Sequence, residues 1–168
     1  MSFRDSINQW LAGLDAPAGV NLVLDEAGAL GLALADGKVL TLEVEEDSGM
    51  VHMHVGLQRL PNDGTRALVI EEALALNLFT RATQGATLGL DRGSDSLILS
   101  LSRDIASLDH TGFATLLAAF AETAEDLQAR LNEVGAPGKS AAPAPSTASV
   151  PPVPQPFFND HTDPRFLA

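Results

Sequence analysis

Cysteine is absent from the 168 residues. A disulfide framework and a thiolate zinc site are therefore both excluded, and a reducing compartment is the natural setting. Positive charge is scarce: ten Lys and Arg stand against 22 Asp and Glu, for a net charge of −12. A nucleic-acid binder needs a basic footprint, and an anionic membrane surface attracts one, so both partner classes are disfavoured. No apolar run approaches the roughly 20 residues that span a bilayer, so membrane insertion is not expected. The start, Ser2-Phe3-Arg4-Asp5-Ser6, lacks the basic and then apolar pattern of a signal peptide. A cytoplasmic protein is the expectation. Apolar residues make up 45% of the chain, enough for a core.

The composition changes near Gly135. Seven of the ten prolines lie between 135 and 156, among Ala, Ser, Gly and Thr. Such a stretch buries too little apolar surface to offset the entropy of ordering it. Phe157-Phe158 and Phe166-Leu167 then follow, and they read either as part of an inert tail or as a docking motif on a flexible tether. Two bases, Lys139 and Arg165, cancel two acids, Asp160 and Asp163, so the −12 belongs to residues 1–134. The expected organisation is a domain over 1–134 and a Pro/Ala-rich tail over 135–168.

Within the domain the periodicity reads helix, strands, helix, strands, helix. Phe3, Ile7, Trp10, Leu11 and Leu14 share one helical face, with Ser2 as cap and Asp5 in the first turn. Val20, Leu22 and Leu24 alternate, as do Leu30, Leu32 and Leu34, then Leu40, Leu42 and Val44, then Val51, Met53, Val55 and Leu57. Asp36-Gly37 and Asp47-Ser48-Gly49 mark turns, so these segments form an antiparallel meander with one apolar face. Thr65 is placed to cap a second helix over Ala67–Phe79, where only Glu71, Glu72 and Asn77 are polar. A helix so apolar must be covered on more than one side, either as a central helix buried within one monomer or, the favoured reading for so small a domain, at a homodimer seam. A hairpin follows, with Ala86, Leu88 and Leu90 running out and Leu97, Leu99 and Leu101 running back. The last helix begins at Asp109 and carries Phe113, Leu116, Leu117, Phe120, Ala124, Leu127, Leu131 and Val134 on one stripe, stopping at Gly135. The fold class is α+β: helix, β-meander, helix, β-hairpin, helix, with an antiparallel sheet flanked by helices.

Chemistry finds few candidates. In His52-Met53-His54 the two imidazoles share a strand face and can meet one metal, with Glu43 or Glu45 as third ligand. The inward alternation of Val51, Met53 and Val55 already accounts for the pattern, so both histidines are expected on the solvent face, without metal. His110 beside Asp109 marks a helix start, and His161 lies in the tail. Glu45, Glu46 and Asp47 read as a solvated acidic turn. No phosphate loop and no Gly-x-Ser-x-Gly elbow is present. No catalytic residue and no cofactor is assigned, and a binding protein is expected rather than an enzyme.

The order of elements resembles the class I chaperones of bacterial type III secretion, the Tir chaperone family. Leu74-Ala75-Leu76-Asn77-Leu78-Phe79 is similar to that family's close of the second helix, and Gly85-Ala86-Thr87-Leu88-Gly89-Leu90-Asp91 to its following strand. Leu97-Ile98-Leu99-Ser100-Leu101 and Leu108-Asp109 before Phe113 resemble the last strand and the entry to the final helix. The likeness covers residues 1–134, and the long tail departs from it. The resemblance implies a homodimer that binds the N-terminal region of a secreted effector in extended form. It keeps the effector export-competent and directs it to the secretion apparatus, with the secretion ATPase as a further partner. On this reading Phe3, Ile7, Trp10, Leu11, Leu22, Leu24, Leu32 and Leu34 bind effector, and Leu74, Leu78 and Leu88 form the dimer seam. Two alternatives stand beside it: a regulatory or scaffolding domain of the same fold, and a metal-dependent enzyme centred on His52 and His54.

Overall fold

A computed structural model of the chain describes residues 2–15 and 20–136. The tail expected from 135 onward therefore lies outside the described residues after Ala136. The elements are α1 (Phe3–Ala12), β1 (Ala29–Ala33), β2 (Val39–Glu45), β3 (Met50–Arg59), α2 (Arg66–Asn77), β4 (Thr87–Asp91), β5 (Ser96–Asp104) and α3 (His110–Gly135). The five strands form one antiparallel sheet in the order β1-β2-β3-β5-β4. The meander supplies β1 to β3. The second hairpin returns with β5 against β3, which leaves β1 and β4 as the two edges.

Alternation decides which face is covered. Leu40, Leu42 and Val44, then Val51, Met53, Val55 and Leu57, then Leu97, Leu99 and Leu101 are all buried on one face. Ile7 and Leu11 of α1, Val69, Ala73 and Leu76 of α2, and Phe113, Phe120, Leu127 and Leu131 of α3 complete that core. Trp10 lies against Phe113 with ring centroids 5.6 Å apart, a spacing that favours tilted aromatic pairs. The opposite face carries Thr41, Glu43, His52, His54, Ser100 and Ser102, none of them buried. One apolar and one wet face is what an antiparallel sheet permits.

The caps at Ser2 and Asp109 form as expected. Ser2 Oγ accepts from Asp5 N at 3.1 Å while Ser2 N donates to Asp5 Oδ2, and Asp109 Oδ1 accepts from Gly112 N at 2.7 Å. Four local expectations are corrected. Val20, Leu22 and Leu24 do not form a strand, because Asn8 Oδ1 of α1 takes the Leu24 N–H at 2.9 Å and ties the segment to the helix. Thr65 makes no side-chain bond to α2; its hydroxyl donates instead to Asp63 Oδ1. Gly135 is the last residue of α3 rather than a left-handed stop, and the chain turns extended at Ala136. The acidic turn is not merely solvated: Glu46 Oε1 accepts from Phe3 N at 2.8 Å and Oε2 from Arg4 N at 3.0 Å.

That last contact docks the positive end of α1 on the β2–β3 turn. Gly49, at φ +68 in the same turn, lets the Phe3 ring approach, since a Cβ there would lie 2.9 Å from it. Glu46→Ala removes two charge-assisted bonds and should lower stability by about 1–3 kcal/mol. Urea titration should show a lower midpoint with an unchanged slope.

Acid sensitivity follows from the aspartates. The Arg66 guanidinium, donating to both carboxylate oxygens at 2.6 and 2.8 Å, holds Asp95 below the usual carboxylate range. Hydrogen bonds from Ser94 and Thr65 lower Asp91 and Asp63 in the same way. A folded pKa below the unfolded one, about 3.9 for Asp, means stability is complete above that value. It is lost as pH falls through the depressed folded values. Melting temperature should therefore be level above about pH 5 and fall below about pH 4. Asp95→Asn should flatten that acid limb.

Candidate protein-binding surfaces

The two sheet edges differ. Register in the β1–β2 ladder pairs Leu30 with Leu42 and Leu32 with Leu40. Val44 N donates to Gly28 O and Leu34 N to Lys38 O, so the even-numbered residues of β1 bond β2. The odd-numbered residues must then direct their N–H and C=O groups away from the sheet. Asp25 occupies the first of these. Its N donates to Ala29 O and its Oδ1 accepts from Ala29 N, both at 2.8 Å. Among the described residues nothing pairs with Gly31 and Ala33, which form an open stretch of edge.

The β4 edge is blunted. Asn77, at the end of α2, donates from Nδ2 to Leu88 O at 2.9 Å and accepts at Oδ1 from Leu88 N at 2.8 Å. One side-chain amide thus takes the place of a neighbouring strand. Thr83 O takes the Ala86 N–H at 2.9 Å, which closes the start of the same edge.

Part of the apolar row expected to meet a client stays accessible. Phe3, Trp10, Leu22, Leu32 and Leu34 are partly exposed and rest on the core. Ile7, Leu11 and Leu24 are buried, at 0%, 1% and 6% exposure. They hold α1 and the 20–25 segment in place and offer no surface in this structure. An amphipathic stripe shows which side of a helix is apolar, not which part of that side is already covered.

The second apolar surface lies at the end of α2. Leu74 and Leu78 are 65% and 63% exposed, as a seam requires, but Leu88 is only 6% exposed beneath the sheet's helical layer. Two residues not singled out for the seam join it: Phe79, 80% exposed, and Leu90, 42% exposed. Phe79 stands on an unusual backbone. It and Thr80 have φ of 59 and 53, and Gln84 and Gly85 follow at 49 and 84. Left-handed geometry at a bulky or β-branched residue costs about 1–3 kcal/mol and persists only where its surroundings impose it. A leucine–asparagine–leucine–phenylalanine run in sequence gives no warning of it.

His52 and His54 do face outward. His52 Nδ1 lies 2.8 Å from Ser102 Oγ, and Nε2 lies 3.7 Å from Glu45 Oε2. Among the described residues no group of three or more His, Cys, Asp and Glu is arranged to hold a metal ion. No described helix is long and apolar enough to cross a membrane.

Several solved structures share this architecture. The ExsC–ExsE complex contains a chain 20% identical, with a TM-score of 0.64 over 78% of this chain and 97% of that one. The ExoU–SpcU complex from the type III secretion system of Pseudomonas aeruginosa contains one 24% identical, TM-score 0.52, covering 76% and 96%. The Yersinia pestis type III secretion chaperone SycH, in complex with a stable fragment of YscM2, is 16% identical, TM-score 0.54, covering 75% and 99%. Among curated proteins none matches the chain by sequence. The model of the Tir chaperone protein (CesT) family matches residues 9–128, which is most of the domain, from α1 into α3. The chain belongs to the Tir chaperone family.

Proposed function

We propose that this protein is a cytoplasmic chaperone of bacterial type III secretion, working as a homodimer that holds the N-terminal region of a secreted effector in extended form. The observation that carries the reading is the Gly31–Ala33 edge, open among the described residues, together with a partly exposed apolar row, in a chain of this family. An extended client adds a strand to β1, and its alternate side chains reach Leu32, Leu34, Leu22 and Trp10. Backbone pairing tolerates sequence variation, while the apolar row selects. Leu74 and Leu78, with Phe79 and Leu90, join two protomers. The client is kept soluble and the loaded dimer is handed to the secretion apparatus, with the secretion ATPase as the receiving component. Nothing in this account asks for catalysis or a cofactor.

The test is co-expression with the secreted protein encoded beside it. The expected product is a complex of two chaperone copies with one effector, in which limited proteolysis leaves an N-terminal effector segment protected. Recovery of many cytosolic proteins and no secreted one would instead favour a regulatory or scaffolding domain of the same fold.

A further inference from the structure

The first half of α3 and the loop entering β4 enclose a groove of about 430 Å³ that the client surface does not use. Ala86, Leu101, Leu116, Ala119 and Phe120 line it, and among the described residues Asp109 is the one charged residue on its wall. A phenyl ring takes up only part of such a volume, so it can enter without displacing the walls. Thr83 and Gln84 lie on its other wall, so groove and exposed Phe79 belong to the same short loop.

We propose that each groove receives Phe79 of a second copy of this chain, so that two protomers interlock reciprocally. The inference rests on the homodimer proposed above and names the contact that fixes it. Three observations select this occupant. First, two copies of a domain carrying −12 repel one another. The stretch Leu74–Leu90 contains no acid and one base, Arg81, so it is where copies can approach. Second, a two-fold interface is self-complementary: residue i meets j while j meets i. A knob and a socket on one loop satisfy that condition, and Arg81, two residues past the knob, matches Asp109 at the socket. Third, Leu74, Leu78, Phe79 and Leu90 as a surface patch fall short of the 20–30 residues a side that stable pairs bury. Filling the groove brings the start of α3 into the interface. The strained backbone at Phe79 and Thr80 holds the ring away from its own domain, where an anchor is needed.

The experiment uses the full chain and sedimentation equilibrium. Phe79→Ala removes the knob, and Ala119→Trp fills the socket. Thr115→Trp, on the exposed rim, serves should Ala119→Trp fail to melt cooperatively. Each variant should raise the dimer dissociation constant about 100-fold, a factor of ten for each of two symmetric contacts. An equimolar mixture keeps one intact knob in one intact socket, so it should pair more tightly than either variant alone. A wild-type chain that is monomeric at 10 μM loaded concentration would overturn both the homodimer and the interlock. A wild-type dimer that neither variant weakens would overturn the interlock alone. A filled socket that spares the dimer but weakens capture of the co-expressed effector would assign the groove to client and likewise overturn it.

Discussion

Leu78→Asp is expected to leave each protomer folded and to abolish pairing. Leu78 is 63% exposed in the isolated chain, so a carboxylate there remains hydrated and costs the monomer little. In the proposed dimer the same carboxylate is buried without a partner, at about 3–5 kcal/mol for each protomer. Two such sites raise the dissociation constant by about four orders of magnitude or more. Light scattering at micromolar concentration should change from about twice 17.6 kDa to about 17.6 kDa, while the melting curve of the fold persists. A Leu78→Asp protein that still sediments as a dimer would remove α2 from the seam.

The second large effect concerns the open edge. Ala33→Pro should preserve the domain and cut effector affinity about 30- to 100-fold. Proline lacks the N–H, and at position 33 that N–H faces away from β2, so no ladder bond is lost on folding. An incoming client strand loses one donor, and the ring obstructs the pairing beside it. One backbone bond and a disturbed neighbour together amount to about 2–3 kcal/mol. Leu32→Pro is the control. Its N–H points into the ladder toward Leu40, so the same residue one step away should damage the hairpin itself. Titration of the co-expressed effector's N-terminal segment, followed by calorimetry, separates the two. Undiminished binding by Ala33→Pro would move the client to another surface.

What the sequence revealed and what it concealed divide along the range of the interactions involved. The caps at Ser2 and Asp109, the turns at Gly37 and Gly49, and the alternation from Leu40 to Leu57 are set by neighbours within a few residues. They were readable because each carries its own signature. Val20, Leu22 and Leu24 alternate as a strand does, yet a side chain 16 residues upstream takes the Leu24 N–H and the segment never joins the sheet. Glu46 looked like one of three solvated acids, and its role at the start of α1 depends on a fold that closes 43 residues. The site suffered from the same limit. Composition marks Ile7, Leu11, Leu24 and Leu88 as apolar, but only the packing shows that the core has already taken them. Phe79 closes the Leu74–Phe79 motif, and its exposure comes from a backbone conformation that residue type does not disclose.

The Asn77 amide on Leu88 has a consequence for the cargo. Among the described residues it blunts the β4 border and leaves the longer open stretch on β1, at the other end of the sheet from the proposed seam. From β4 to β1 there are four interstrand steps of about 4.8 Å, or about 19 Å across one sheet. If the two sheets of the proposed homodimer meet at their β4 ends, their β1 borders lie about 40 Å or more apart. A single polypeptide serving both must bridge that gap at no more than about 3.4 Å per residue. At least a dozen residues are then spent on passage alone, beyond the short runs that pair. In the proposed homodimer such an assembly would act as a ruler: a short peptide would engage one end, while a long segment without fixed structure would gain the combined hold of two. Truncating the cargo should show a step in affinity at that length, where tethered second-site binding begins.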